Sequence, residues 1–595
     1  TDPTDETTFK ILTEFEKGDY SAFEQIQEAL VIAIKRRQEL EKQVDMGSLP
    51  KNVKTEEFKN MQWLKTGPEL VVRIARMKAL QVEAASKLTE DNKGKAFKRI
   101  AKRQALFEDE MQTKDPVQQS RQMLANILKA TAASLDSHTS YFTPDEAAQF
   151  MINVQQRLFG IGAQLRDDVN GFTIVKIIEG GPAANSKELK VKDRIIAVNG
   201  EPVVGLDIID AVDLIRGEEN TPVMLTVVRD TNVDGVKKEE TLNIKIIRHE
   251  VVLNETRYES VLEPFADGAI GYLRLFSFYQ DPDSASGSDL AKAIQEMKKE
   301  RPLKGLILDL RYNSGGLLSQ AVAVVGLFIS KGVVVSIKDE NGIIQHLRHL
   351  DEDVVWDGPL VVLVNRASAS ASEIVAGTLK DYGRALIVGD DHTYGKGSFQ
   401  TFTLNSGNAG QTNPQGEYKV TRGRYYTVSG MTPQLKGVGS DIVVQGPLSE
   451  SEIGEKFSKF PLEDDSIHES FDDDLSDIPI TQRNSIRLLY KFNMQPKLRM
   501  YEPYLPTLIL NSKIRLERNK PYQEFLKELK EKENDSESSK DVEPPEETPE
   551  NSPGKGDLQL IEADNILKDL LYQMLENKKS GNKPAAAPST TKGKP

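Results

Sequence analysis

Leu360-Val361-Val362-Leu363-Val364-Asn365-Arg366-Ala367-Ser368-Ala369-Ser370-Ala371-Ser372-Glu373-Ile374 decides how this chain is read. The first five residues have the branched, apolar character of a buried strand, and Ser372 to Tyr382 reads as a helix. The serine-rich stretch is therefore a strand-to-helix turn. On such a junction a serine stands clear of the sheet while the first helical amides point unpaired donors outward. The helix dipole adds roughly half a positive charge at the same place, which suits an oxyanion forming on a tetrahedral intermediate. The alternating alanines leave room for a substrate backbone.

Outward from this turn, strands and helices alternate from Val251 to about Val444: strands Gly271 to Leu275 and Gly305 to Leu310, helices Ser288 to Lys299 and Leu317 to Phe328. That alternation favours an α/β sheet with helices packed on it. Between Gln155 and about His249 the period is strand-like, with branched runs at 172–178, 194–198 and 223–228, turn signals Gly180-Gly181-Pro182 and Asn199-Gly200, and one short helix over 208–215. Upstream, Met123, Leu124, Ile127, Leu128, Thr131 and Leu135 recur at helical spacing. Thr143-Pro144-Asp145-Glu146 has the form of another helix start. After Gly446 the chain is expected to be helical and increasingly charged, with a disordered Ser-, Pro- and Glu-rich linker over 534–556, an amphipathic helix over 557–577 and a polar tail. The expected fold is multidomain α+β: a helical N-terminal domain (1–154), a small β module (155–249), an α/β core (250–445) and a helical C-terminal region with linker and tail (446–595).

Composition narrows the chemistry. The 595 residues carry 77 Lys plus Arg against 91 Asp plus Glu, a net charge of -14 that argues against a nucleic-acid partner. The basic stretch Lys95 to Arg103 reads as a solvated helix face. There is no cysteine, which removes thiol catalysis, disulfides and Cys-based zinc sites and is compatible with an oxidising compartment. No apolar run approaches the ~20 residues of a membrane span, so no transmembrane segment is expected. The opening Thr1-Asp2-Pro3-Thr4-Asp5 has no basic or apolar signal region, so any export signal is expected to be absent from these residues. No His or carboxylate cluster has convincing metal spacing; no metal and no cofactor are expected.

A serine nucleophile needs a base. Of six histidines only His392 is near a plausible site in sequence. Beside it runs Tyr394-Gly395-Lys396-Gly397-Ser398-Phe399-Gln400, in which residues 396, 398 and 400 of an extended strand project to one face. A lysine acts as a base only when neutral, which burial promotes, and an amide such as Gln400 can hold it without recharging it. A third element, Leu308-Asp309-Leu310-Arg311-Tyr312-Asn313-Ser314-Gly315-Gly316, ends a strand in paired glycines, and Gly315 can offer an oxyanion donor beside Ala371. Taken singly, each element has an ordinary reading as a helix cap, a surface turn or a loop.

Together, Asp309-Leu310-Arg311 with Asn313 and Gly315-Gly316, Ser368-Ala369-Ser370-Ala371-Ser372-Glu373, and Gly395-Lys396-Gly397 with Gln400 resemble the carboxyl-terminal processing, or tail-specific, serine proteases. The similarity runs from about Ala132 to Val443, and Asp136-Ser137-His138-Thr139 and Lys436-Gly437-Val438 share it. The resemblance implies a ClpP/crotonase-like core with Ser370 as nucleophile, Lys396 as base, Gln400 orienting it, and the Gly315 and Ala371 amides as oxyanion hole. Ser372 looks better placed as a helix cap and Ser368 lies too early. The β module resembles a PDZ domain, with Leu158-Phe159-Gly160-Ile161-Gly162 as the loop whose amides take a substrate's C-terminal carboxylate. Lys192 stands where that family commonly has glycine. The implied partners are proteins or peptides with apolar C-termini, with an adaptor or self-association through the helical domains as a further option, and the implied setting is the bacterial periplasm. Two rival readings stay open here: a catalytically silent PDZ scaffold, and a Ser-His-Asp hydrolase using His392.

Overall fold

A computed structural model describes residues 6–84, 104–105, 108, 111–112, 115–402, 415–535 and 556–579, except 52, 59–60, 63, 156, 169–170, 179, 205, 207, 218, 234–235 and 253–256. The basic stretch 95–103, most of the expected linker and the polar tail lie outside the described residues. The chain forms two compact units, one of Thr1–Ala130 with Arg157–Val252 and one of Thr131–Gln156 with Leu253–Pro595.

In the first unit the helices include Glu6–Glu16, Ser21–Glu41 and Gly67–Ala84. The buried Glu108 carboxylate accepts from Arg37 (2.9 Å) and Gln38 (2.7 Å), which ties a distant part of the chain to the second of these helices. The β module of this unit is an antiparallel sheet in the order Ala163–Asp168, Gly171–Ile177, Arg194–Val198, Pro222–Val233, Val236–Ile247. Phe172, Ile174, Ile195, Leu225 and Ile246 fill its core, and the helix Ile208–Ile215 forms where the sequence places it. The first and last strands of this sheet escape the sequence pattern because Gln164, Arg166 and Asp167, and Lys237 to Glu240, dilute their apolar residues. Lys192 adopts φ 77°, a left-handed conformation, which accounts for glycine being the easier residue there.

The second unit is built on two sheets. The larger runs Tyr258–Phe265, Gly268–Leu275, Leu303–Asp309, Leu360–Val364, Leu386–Gly389, Ile442–Val443, parallel except for its first strand. Both faces are covered, so its central strands are apolar throughout rather than alternating. Leu306, Leu308, Val362 and Val364 face the helices Ser286–Glu300, Leu318–Gly326 and Ala371–Asp381. Ile307, Val361, Leu363 and Val388 face Tyr501 and, from helices late in the chain, Leu508, Ile566, Leu567 and Leu570. The second sheet has the order Ser140–Phe142, Glu417–Thr427, Gly332–Asp339, Ile344–His349, with Ser398–Phe402 on the other side of Glu417–Thr427.

The region after Gly446 departs from expectation. It runs as irregular chain with one short turn of 3-10 helix, Glu455–Phe457, before the helix Ile480–Tyr490 begins. The stretch 461–479 carries Pro, Ser and many Asp without helical apolar spacing, and its polar groups bond elsewhere: Asp473 and Asp477 both pair with Arg348. The helices Leu505–Arg518 and Lys520–Asp535 follow, and the expected amphipathic helix forms as Leu558–Lys579.

Candidate active site

Three chain segments meet at the ends of the parallel strands. After Leu360–Val364 the chain turns and enters the helix Ala371–Asp381 with Ser370 at its N-cap, at φ 56° and ψ -113°. That backbone is sparsely populated for a residue with a Cβ and persists only where the surroundings over-determine it. They do so here. The Ser370 N–H donates to Glu373 (2.8 Å) and its carbonyl accepts from Tyr425 (3.0 Å). Ser368 is fully buried, with its hydroxyl donating to the Leu310 carbonyl and accepting from the Asn365 N–H. Ser372 is also fully buried and donates to the Asn313 carbonyl at 2.8 Å. The helix cap expected of Ser372 is therefore taken by position 370, because Ser372 already lies inside the first turn and is bonded to the neighbouring loop. Of the three serines, Ser370 alone keeps part of its surface.

The second segment follows Leu303–Asp309. Gly315 adopts φ +108°, and a Cβ there would lie 2.8 Å from the Ser370 Cβ and 3.1 Å from the Ala371 nitrogen. Only glycine lets the two turns touch. Ala371, at the first helical position, has no carbonyl of its own helix to reach, so its N–H is available by geometry. The Gly315 N–H, by contrast, donates to the Asn313 side chain at 2.9 Å in this conformation. Asn313 also donates to the Leu275 carbonyl (2.8 Å), and its own carbonyl accepts from Ala369 (3.0 Å), which knits the two turns together. Behind them Arg311 is buried and shared by Asp309, Asp557 and Gln559, so the start of the helix Leu558–Lys579 is anchored to the same strand end.

The third segment carries the lysine. Lys396 Nζ donates to Gln400 Oε1 at 2.7 Å, the contact its spacing predicts. Gln400 is held in that orientation because its amide nitrogen donates to the Ser398 (2.9 Å) and Thr421 (3.3 Å) hydroxyls. Thr421 in turn donates to Asp136 (2.9 Å). A Cβ on Gly397 would meet the Thr432 hydroxyl at 2.2 Å, so the residue after the lysine has to be glycine. Burial is the main reason the Lys396 ammonium is pulled down to about 8, with the charge of Lys419 adding to it, and Glu455, Glu373 and Asp136 opposing.

One carboxylate joins the serine and the lysine. Glu373, fully buried, accepts from Ser370 N–H and Lys396 N–H (2.8 and 2.9 Å) on one oxygen and from Thr393 Oγ1 and Gly395 N–H (both 2.6 Å) on the other. Burial pushes its carboxyl up to about 7, while the four donors hold it back. The Tyr425 hydroxyl bonds both the Ser370 and Lys396 carbonyls. Glu373, Tyr425, Thr421 and Asp136 were not assigned roles by the sequence. Glu373 sits three residues after Ser370 in a capping-box pattern, a signal of turn structure, but nothing in the sequence tells that the same oxygen reaches Lys396.

His392 is turned away from this arrangement. Its Nδ1 lies against the Thr393 carbonyl (2.7 Å) and its Nε2 faces the half-exposed Asp391 at 3.8 Å. Among the described residues one group has the spacing of a metal site, His346 with Asp473 and Asp477, and the Arg348 guanidinium already occupies both carboxylates.

In the β module, Phe159 and Gly160 lie in the strand Arg157–Gly160, paired with His249–Val252. Ile161 is buried in the core of that module, and Gly162 has φ +73° with the Gly181 Cα where its Cβ would be, 3.2 Å away. The loop opens directly into Ala163–Asp168, the end strand of its sheet.

Residues 269–444 match the family model of peptidase family S41, residues 173–229 that of the PDZ domain, and residues 4–145 that of the tail specific protease N-terminal domain. Over 383 residues the chain is 34% identical to the carboxy-terminal-processing protease of Bartonella bacilliformis, a stretch covering 64% of this chain and 82% of that protein. The chain belongs to the carboxyl-terminal processing protease family. This protease is also 34% identical over 337 residues to the tail-specific protease of Haemophilus influenzae, covering 55% of this chain and 46% of the relative. A solved photosystem II D1 C-terminal processing protease aligns at 27% identity over 62% of this chain and 92% of its own, with a TM-score of 0.33. The protease is thus a serine-type peptidase with a PDZ domain set between its N-terminal helices and its α/β core, and the silent-scaffold reading is set aside by family membership.

Proposed function

We propose that this protease cleaves proteins chosen by their C-terminal tails, with Ser370 as nucleophile, Lys396 as general base and Gln400 as the residue that orients it. The observation that carries the reading is the single Glu373 oxygen that accepts from the backbones of both Ser370 and Lys396, with the lysine amine buried and held by an uncharged amide. A neutral amine keeps two N–H groups and one lone pair, so it donates to Gln400 while offering the lone pair to the serine proton. In the step that follows, the Ser370 Oγ–H proton passes to Lys396 Nζ as Oγ bonds to the scissile carbonyl carbon. The carbonyl oxygen becomes an oxyanion facing the Ala371 N–H, joined by the Gly315 N–H once Asn313 releases it. Collapse breaks the C–N bond, the ammonium returns its proton to the leaving amine, and a water activated by the regenerated amine hydrolyses the acyl-enzyme.

Within the same proposal, the module over 155–249 selects the tail. The loop Phe159-Gly160-Ile161-Gly162 supplies amides for the terminal carboxylate, and an extended tail adds to the end strand Ala163–Asp168. Apolar side chains at the tail suit this mode of binding. No described helix is long and apolar enough to cross a membrane, and the bacterial relatives favour a periplasmic setting. The four-part division 1–154, 155–249, 250–445 and 446–595 belongs to this reading, with the helical parts free to serve adaptors or self-association. The test is labelling with a fluorophosphonate, followed by peptide mapping, alongside digestion of an unfolded protein with an apolar C-terminus. Label on Ser370, lost in Lys396→Ala, is expected; label on any other serine would overturn the assignment.

A further inference from the structure

Lys419 lies on the strand Glu417–Thr427, two residues from Thr421 and on the same face. Thr421 is the cross-strand partner of Gln400, and Lys419 is the partner of Phe402, so the two pairs are neighbours on one face of the sheet. The first pair holds the proposed base through Gln400. In the second, the Lys419 ammonium is set over aromatic rings, 5.7 Å from the centre of Phe142 and 5.6 Å from that of Phe150. These rings and Phe402 form one cluster, with centroids 4.7 to 5.8 Å apart. Ring faces stabilise a cation without neutralising it. Of the carboxylates on this side, Asp136 acts on Lys419 but also accepts from the His138 and Thr139 amides and from Thr421, and Glu417, two residues along the same strand face, is buried. Burial lowers the Lys419 ammonium from its ordinary value, Asp136 opposes that shift, and the ring faces add to the support of the charged form beside a second lysine.

We propose that Lys419 is a positioning residue of the catalytic site, acting through Lys396: its caged ammonium disfavours a second positive charge on the neighbouring amine and so keeps that amine available as a base. The inference deepens the Ser370–Lys396 reading and rests on it. Burial and the charge of Lys419 both push Lys396 toward the neutral form, in that order. Against them stand Glu455 from the turn Glu455–Phe457, Glu373 from the helix Ala371–Asp381, and Asp136 from the segment before Ser140–Phe142. Glu455 is bonded by His138 (2.8 Å) and Gln434 (3.3 Å), and Glu373 by its four donors, so the opposing charges are each shared with other partners. Without Lys419 the balance moves toward the protonated amine.

The test is the pH profile of kcat/KM on a peptide substrate for the full chain and for Lys419→Met, Lys419→Gln and Lys419→Arg, with Lys396→Ala alongside. The acidic limb of Lys419→Met and Lys419→Gln is expected to move to higher pH by about half a unit or more, roughly a threefold loss at pH 7 that is recovered on the alkaline plateau. Lys419→Arg keeps the charge and is expected to keep the limb. Glu373 is present in every variant, so the difference between variants reports residue 419. A limb that stays in place while activity falls equally at every pH overturns the inference and leaves Lys419 a packing residue. If Lys419→Met loses its cooperative melt, Lys419→Gln carries the same expectation. Activity surviving in Lys396→Ala would instead overturn the dyad itself, whatever happens at position 419.

Discussion

The serine turn and the proposed tail-binding loop are both glycine-assisted bends next to a strand, yet they spend their atoms differently. Around Ser370 almost every polar side chain is buried and bonded to another segment: Ser368 to Leu310, Ser372 to Asn313, Glu373 to four donors. Around Gly162 the fixing contacts are backbone ones, Ile178 N–H to the Gly162 carbonyl (2.9 Å) and Ala183 N–H to the Ile161 carbonyl (2.7 Å). A site that does chemistry must hold particular side-chain atoms, whereas one that reads a chain terminus needs only amides at the right height. The first is sensitive to the identity of each residue, and the second mainly to backbone shape.

This contrast orders the expected effects of mutation. Ser370→Ala removes the proposed nucleophile and is expected to lower kcat/KM by ~10³-fold or more while leaving tail-peptide binding unchanged, as checked by steady-state cleavage and calorimetric titration. Glu373→Gln retains the shape but swaps an acceptor oxygen for a donor, leaving N–H groups of the turn unpaired. A loss of ~10- to 100-fold in kcat with a lower Tm is expected, since a buried unpaired donor costs about 1–3 kcal/mol. Unchanged kinetics would mean the shared carboxylate does not hold the two residues in register. The pH profile of the parent comes next. With Lys396 near 8, only about one molecule in ten carries the neutral base at pH 7, so kcat/KM is expected to rise with pH and level off above about 8. A profile flat from pH 6 to 9 breaks the assignment of Lys396.

Smaller effects are expected at the loop. Gly162→Val meets the Gly181 backbone and an unfavourable φ, so KM for a substrate with an apolar tail is expected to rise several-fold while a short untailed peptide is cut as before. Equal effects on both substrates would remove the functional distinction between the two sites. His392→Ala, on a ring that faces Asp391 and the surface, is expected to change kcat/KM by less than about twofold, a change within reach of simple progress curves.

What the sequence made legible follows the same division. The strand Leu360–Val364, the helix Ile208–Ile215 and the Lys396 to Gln400 contact were readable because each is a local pattern of period, punctuation or spacing. Long-range partners were not. Asp136, Thr421 and Tyr425 enter the site from segments far apart in the chain, and a Thr or Tyr on a strand carries no mark that separates support of an active site from ordinary packing. The stretch after Gly446 was expected to be helical and is irregular, and several of its acidic groups are pinned by Arg348 and Lys338 rather than spaced along a helix. Ser372 was misassigned for a related reason: cap preference is a local rule, and here the Asn313 carbonyl outcompetes it.

The helix Leu558–Lys579 lies over Ile307, Val361 and Leu363, strands made much earlier during synthesis. Until that helix emerges from the ribosome, this side of the central sheet lacks part of its apolar cover and presents hydrocarbon to water. Arg311, behind the serine turn, likewise lacks Asp557 and Gln559 until then. Completion of the catalytic half thereby waits for a helix made long after the strands it covers.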